Sequence, residues 1–256
     1  MHRADTTRAF DGKADAYGRN RFDYSPQAID AIVAVAGLDR TSAIADLGAG
    51  TGMLTRHFAD RVGRVFAIEP NDEMRALALS SLGPIESLHW MKGTADDTGL
   101  PSRSVHAVTV GRAIHWFDPA PSQVEILRIL RPGGWLIIVR TPPSDPYSSA
   151  ALERLRDECG GRHAGYRGDH PPQVDDSAHF GGDDFIHLTF PCAVRETWAQ
   201  FFGRMRSLSF SPQPGDPRYH AFESVAREIF DQGAAEGMLP VRYATEVLMK
   251  QMVPKP

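Results

Sequence analysis

The chain is 256 residues long, 42% hydrophobic and 23% charged. Those proportions suit one α/β domain with an elaboration, or two small domains, and exclude a chain too polar to bury a core. The formal net charge is −4 with no long basic run, which argues against affinity built on phosphate contacts without excluding a local basic patch.

Cys159 and Cys192 fit neither a CxxC pair nor a metal spacing, so a reduced, cytoplasmic setting is expected. The polar N-terminal stretch has no apolar signal core, and no run approaches the ~18 apolar residues that would span a membrane.

In chain order, Ser25 and Pro26 open a helix that Gly37 closes, with Ile29, Ile32, Val33 and Ala36 on one face. Ala43 to Leu47 reads as a buried strand, followed by a glycine loop and a helix from Thr51 to Asp60. Arg64 to Glu69 is a second strand. Asn71 then caps a helix that runs to Gly83. "SLHWMKG" and Val105 to Val110 are the third and fourth strands. "VEILRILRPGG" is a helix ended by a Pro132-Gly133-Gly134 turn, and Trp135 to Val139 is a fifth strand. Strand and helix alternating at this spacing predict right-handed crossovers and a parallel sheet covered on both faces.

After Arg140 the texture changes. A Pro-rich break precedes a helix from Ala150 to Cys159 and an irregular Gly-, His- and Asp-rich stretch from Gly160 to Asp184, of the kind used for lids. "DFIHLTF" reads as a strand. Helices follow over Arg195 to Leu208 and around Phe222 to Phe230, with Gly237 as a stop. Trp198, Phe201 and Phe202 fit a core better than a pocket. "VRYATEVLMKQM" reads as a last strand at the sheet edge. The two late strands are expected to form an antiparallel edge on the parallel sheet.

The loop "DLGAGTG" places Gly48, Gly50 and Gly52 directly after the first strand. Glycine permits the tight turn and the close approach of backbone to a ligand. The dinucleotide fingerprint needs a third glycine where this chain has Met53, a side chain that fits poorly where a pyrophosphate needs close helix packing. The loop therefore suits a nucleoside ligand without a diphosphate, and a nicotinamide dehydrogenase is the weaker reading. Glu69, 23 positions after Asp46, stands where a carboxylate accepts from both ribose hydroxyls. After the third strand, Asp96 stands where it accepts from an exocyclic amine.

"IADLGAGTG", "VFAIEPNDEMR", "KGTADDTGLP" and "ILRILRPGGWLIIV" together resemble the class I S-adenosylmethionine-dependent methyltransferases. "GRAIHWFDP" and "DAYGRNRFDYSP" are similar to segments of the ubiquinone/menaquinone-type and trans-aconitate-type groups. The resemblance implies a Rossmann-like, doubly wound, mostly parallel seven-stranded sheet whose last strand is antiparallel. It implies an N-terminal cap over 1–40, a cofactor core over 41–140, a lid over 141–183 and C-terminal strands and helices over 184–256.

The resemblance further implies S-adenosyl-L-methionine as cofactor and S-adenosyl-L-homocysteine as product. The residues implied to hold the cofactor are Tyr17, Arg21, Asp46, Gly48, Ala49, Gly50, Thr51, Gly52, Glu69, Pro70, Met74, Thr94, Ala95, Asp96, Gly111, Arg112 and Ala113. His115 is the candidate base, because it is expected near the end of the fourth strand, close to the transferred methyl, and imidazole is the side chain suited to proton transfer near neutral pH; His115, Trp116 and Arg140 are candidates to meet the acceptor. His115 and Trp116 fit simple core packing equally well.

The chain lacks an Asn/Asp-Pro-Pro-Tyr-like run after the fourth strand, which disfavours adenine or amide methylation. A small-molecule acceptor, methylated on O, N or C, is expected, with no nucleic acid, no membrane and a monomer or homodimer. Arg162, Arg167 and His163 join Arg140 as groups that suit an anionic acceptor. A metal site of His163, His170 and His179 matches no known spacing and none is expected. A cofactor-binding protein that transfers no methyl, and an RNA or protein methyltransferase, are the rival readings.

Overall fold

The computed structural model describes residues 21–159, 176–208 and 210–252. Tyr17, His163, His170, Arg162 and Arg167 lie outside those residues, as do residues 160–175 of the expected lid.

Helix α1 (Pro26–Ala36) starts on a proline and ends on Gly37 at φ 62°. Ser25 does not cap it through its side chain; its hydroxyl turns to Gln27 instead. β1 (Ala43–Leu47), β2 (Arg64–Ile68), β3 (Leu88–Met91), β4 (Val105–Gly111) and β5 (Leu130–Arg140) are parallel neighbours in the order β3-β2-β1-β4-β5. α2 (Asp72–Leu82) and α3 (Pro119–Ile129) lie between them in sequence. Asn71 caps α2 by accepting from the Met74 N–H. The later elements are α4 (Pro146–Cys159), α5 (Asp176–Phe180), β6 (Ile186–Glu196), α6 (Trp198–Arg206), α7 (Tyr219–Gly233) and β7 (Leu239–Gln251).

Alternation along each central strand sends neighbours to opposite faces. Ile44, Ile137 and Val139 pack with Ile29, Ile32 and Phe58 on one side. Ala45, Leu136 and Ile138 pack with Ile126, Ile129 and Phe180 on the other. Strands buried on both faces read as continuous apolar runs, as "LIIV" does.

Four details differ from the sequence reading. The helix expected over Thr51 to Asp60 is only a 3-10 turn, Thr55–Phe58. Gly48, Gly50 and Gly52 all hold positive φ, so the chain reaches right-handed geometry late. The Pro132-Gly133-Gly134 segment lies inside β5 as a bulge, since the pairing with β4 jumps from Val105↔Leu130 to Ala107↔Trp135. β7 pairs antiparallel with β5 as expected, but it is not the edge strand; β6 is. The stretch read as irregular before Asp184 contains α5, whose Phe180 is buried and stacks on Phe185.

The described chain groups into two compact units. One holds 24–141, 176–190 and 245–252. The other holds 21–23, 142–159, 191–208 and 210–244. In the second, Phe201, Met205, Phe222, Ile229 and Phe230 form a core with Leu155. A buried Arg204–Glu196 pair, bonded through two guanidinium nitrogens at 2.8 and 2.7 Å, flanks it. Trp198, Phe201 and Phe202 are therefore packing residues, as expected.

Candidate functional site

Asp46 near the end of β1 is buried. Its two oxygens accept from the hydroxyls of Thr55 at 2.5 Å and Thr109 at 3.0 Å. Thr109 comes from β4 and Thr55 from the turn after the glycine loop, so this carboxylate ties three segments. Burial pushes its pKa up to about 6, against the pull of the two hydroxyls. Neither threonine was legible as a site residue in sequence; an Asp followed nine positions on by a Thr is no motif.

The glycine loop folds back on the end of β2. The N–H groups of Gly48 and Ala49 both donate to the Ile68 carbonyl, at 2.9 and 3.1 Å, and the Gly52 N–H donates to the Ala49 carbonyl. The Gly50 N–H donates to one oxygen of Glu69, and the Asn71 N–H donates to the other, both at 2.9 Å. The Glu69 carboxylate is thus aimed by two backbone amides. Burial raises its pKa above the usual carboxylate range while those two bonds lower it. With their N–H groups engaged inside the chain, the three glycines offer a ligand space rather than donors.

That space is not equally distributed. A Cβ on Gly48 would sit 2.7 Å from the Ala113 Cβ, and one on Gly52 would sit 2.7 Å from Leu82 and 3.1 Å from Trp90. A Cβ on Gly50 would meet nothing nearer than the Gly48 carbonyl oxygen at 4.0 Å. Beside it, the Thr51 hydroxyl is buried without a hydrogen-bond partner among the described residues. An unsatisfied buried hydroxyl next to an open glycine is what a ligand-binding loop leaves for its ligand.

The loop after β3 is held from below. Glu125 of α3 accepts from the Thr98 N–H at 2.9 Å and from the Thr98 hydroxyl at 2.5 Å, while Arg128 grips the same carboxylate. The arginine holds Glu125 down to about 2. Thr94 and Asp97 close a small turn, and the Thr94 hydroxyl donates to Asp96 at 2.6 Å. Ala95 and Met74 are buried.

After β4 the chain makes a tight corner. Arg112 holds φ 56°, a left-handed conformation that costs a non-glycine residue about 1 kcal/mol or more. Its N–H donates to the Val139 carbonyl at 3.0 Å. Its guanidinium lies 4.8 Å from the centre of the Tyr24 ring, 3.1 Å from the Met53 sulfur and 3.4 Å from the Thr141 hydroxyl. Gly111 is required here, since a Cβ would strike the Tyr24 hydroxyl. His115 and Trp116 follow in a 3-10 turn, Ile114–Trp116, with ring centres 5.0 Å apart.

The structure thus brings Asp46, Gly48, Gly50, Glu69, Gly111, Arg112 and Ala113 together around the C-terminal ends of β1, β2 and β4. Arg140 ends β5 opposite Glu246 of β7. Arg21 donates to the Ser207 carbonyl at 3.0 Å in the other unit. Of the three histidines weighed as metal ligands, only His179 is among the described residues, buried in α5.

A glycine loop after the first strand, a carboxylate after the second, and the order β3-β2-β1-β4-β5-β7-β6 with β7 reversed together define the class I methyltransferase architecture. Residues 45–138 match a family model described as a methyltransferase domain, so this part of the chain is similar to that family.

An uncharacterized methyltransferase of Mycobacterium tuberculosis is 39% identical over 137 residues, covering 54% of this chain and 54% of that protein. A ubiquinone/menaquinone biosynthesis C-methyltransferase of Blochmanniella floridana is 31% identical over 103 residues, 38% of this chain and 41% of that one. The chain spans about half the length of the curated relatives it matches first.

Among solved structures, a protein described as a type II methyltransferase from Anaeromyxobacter dehalogenans has a TM-score of 0.63 at 21% identity, covering 92% of this chain and 99% of that one. A methyltransferase from an antibiotic biosynthesis pathway of Anabaena variabilis has a TM-score of 0.62 at 18% identity, covering 92% and 100%. At these identities the likeness is one of fold.

Proposed function

We propose that the chain binds S-adenosyl-L-methionine at the glycine loop and transfers its methyl group to a small-molecule acceptor, on O, N or C, releasing S-adenosyl-L-homocysteine. The observation that carries this reading is the clamp of the Gly50 N–H on Glu69, beside an open Gly50 and a buried, unsatisfied Thr51 hydroxyl. These residues fit the cofactor: Glu69 has a lone pair left on each oxygen for a ribose hydroxyl, and Thr51 supplies a hydroxyl for the ligand. Asp96 accepts from the adenine amine, steadied by Thr94. When bound, the cofactor supplies a methyl group already activated for displacement.

The remaining work belongs to the chain. It holds an acceptor in line with that methyl and excludes water from the reacting atoms. Where the acceptor must lose a proton, His115 in the turn after β4 accepts it on an imidazole nitrogen. Asp46 locks the loop to β4 through Thr55 and Thr109.

The test is calorimetric binding of S-adenosylhomocysteine to wild type and to Glu69→Ala, followed by release of that product with small acceptors. Removing hydrogen bonds to a charged group is expected to weaken binding roughly 10- to 100-fold. Unchanged affinity in a Glu69→Ala protein with native circular dichroism sinks the proposal. Full turnover by His115→Ala with the true acceptor reduces that histidine to packing.

A further inference from the structure

We propose that Glu125 is a positioning residue of the cofactor site: through Thr98 it fixes the turn after β3, and so sets how strictly the site demands adenine over other purines. The inference deepens the cofactor reading and rests on it for the identity of the base. Three observations carry it. First, the turn that bears Asp96 is pinned on both sides. Thr94 and Asp97 exchange backbone hydrogen bonds at 3.0 and 3.2 Å, which closes it. Towards β3 it rests on Gly93, where a Cβ would lie 2.9 Å from the Ile68 side chain and 3.0 Å from the Asp97 carbonyl oxygen. Away from β3, the fully buried Thr98 donates to one Glu125 oxygen twice, from its N–H at 2.9 Å and its hydroxyl at 2.5 Å. That hydroxyl accepts in turn from the Leu100 N–H at 3.2 Å.

Second, the anchor is a carboxylate that keeps its charge. Arg128, one turn further along α3, donates to both Glu125 oxygens at 2.6 and 2.7 Å and to the Leu100 carbonyl at 2.7 Å. It holds the Glu125 pKa down to about 2, so near neutral pH the carboxylate only accepts. Glu125 is buried. A buried carboxylate shared by Thr98 and Arg128 cannot drift without breaking a bond to one of them.

Third, the support itself is rigid. Ile126 and Ile129 of α3 are fully buried in the core that also holds Ala95 and Leu100 of the loop. The Ser104 N–H donates to the Ile129 carbonyl at 2.8 Å, which ties the end of α3 to the start of β4. A side chain on a loop meets a ligand accurately only when the residues behind it are locked. A displacement of about 1 Å is enough to cost a directional contact most of its value.

S-inosylhomocysteine differs from S-adenosylhomocysteine only at the base edge, where a carbonyl replaces the amine and the neighbouring ring nitrogen gains a hydrogen. Both ligands are titrated calorimetrically into wild type, Glu125→Gln, Thr98→Val and Thr98→Ser. Glu125→Gln keeps the shape and loses the charge. Thr98→Val keeps the volume and loses the hydroxyl, which Thr98→Ser retains. Thr197→Ala, at the start of α6, is the control for a change in stability alone.

Wild type is expected to prefer S-adenosylhomocysteine by roughly 100-fold or more, as a site built around a ligand N–H does. Glu125→Gln and Thr98→Val are expected to lower that preference by about tenfold, through weaker binding of S-adenosylhomocysteine. Thr98→Ser and Thr197→Ala are expected to keep it within about 3-fold. An undiminished preference in either Glu125→Gln or Thr98→Val overturns the inference. So does equal weakening of the two ligands, the mark of a support that is structural only. Thr98→Val decides alone if Glu125→Gln does not fold. A wild type that binds both ligands equally also overturns the inference and leaves the cofactor reading standing. S-adenosylhomocysteine that fails to bind wild type removes the cofactor reading and this inference together.

Discussion

Gly50 and Gly52 share a positive φ and differ in everything around them. Alanine at either position pays the left-handed penalty of about 1–2 kcal/mol. At Gly52 the new methyl also strikes Leu82 and Trp90, so about 2–4 kcal/mol is expected there in urea unfolding. At Gly50 the methyl enters open space, so Gly50→Ala is expected to keep most of its stability and to lose S-adenosylhomocysteine affinity by roughly tenfold or more, the effect of a misfit at a close-packed contact. Equal effects of the two substitutions on stability and on binding would refute this division of labour. Asp46 gives a second residue-scale test. Its pKa is raised to about 6 by burial, so the folded chain holds that proton more tightly than the unfolded one. The resulting stability is complete below the ordinary carboxylate range and is lost as pH rises through about 6. Asp46→Asn removes this dependence. Its stability is expected to fall less than that of wild type between about pH 4 and 7, by up to about 3 kcal/mol, with only the share of Glu69 remaining. Urea midpoints at several pH values decide it; parallel curves for the two proteins count against the assignment.

Elements were legible where local chemistry and burial agreed. α1 with its Gly37 stop, Asn71 capping α2, and the central strands lie close to where propensity and pattern put them. The failures share one cause, a tertiary partner with no local signature. The turn after Gly52 stays short because three left-handed glycines precede it, and because Thr55 is drawn to Asp46. β7 lies inside the sheet rather than at its edge because β6, earlier in sequence, occupies the edge. α4 begins at Pro146, earlier than apolar spacing suggests, because Asp145 accepts from the Ser148 N–H. In the site, the glycines and Glu69 could be read from order along the chain, whereas the stacking of Arg112 on Tyr24 joins positions far apart in sequence. α6 supplies the element-scale test. Thr197 accepts from the Gln200 N–H, and the Gln200 side chain accepts from the Thr197 N–H, closing a capping box. Thr197→Ala is expected to cost about 1 kcal/mol, read as a lower urea midpoint at unchanged slope. Because the cap is remote in sequence from the glycine loop, S-adenosylhomocysteine affinity serves as its control, and a midpoint equal to that of wild type would show the box to be energetically idle.

At the scale of the molecule, the parallel strands deliver the loops after β1, β2 and β4 to one end of the sheet, where open α/β sheets hold their ligands. A ligand that binds only the folded chain stabilises it by mass action, about 2.7 kcal/mol at a concentration 100-fold above its dissociation constant. For a chain of this length that corresponds to a rise in melting temperature of about 5–10 °C. S-adenosylhomocysteine is expected to give that rise. NADH is expected to give none, because the place of the third glycine is filled by Met53, a buried side chain already engaged with Arg112. The pairing of ligands matters more than either melt alone. Stabilisation by both would mean a loop permissive for nucleotides in general. Stabilisation by NADH alone would overturn the nucleoside-without-diphosphate reading at its source, Met53 in the place of the third glycine. Stabilisation by S-adenosylhomocysteine that also disappears in Glu69→Ala would tie the melting shift to the Gly50–Glu69 clamp, and so tie the stability of the whole chain to the atoms proposed to hold the cofactor.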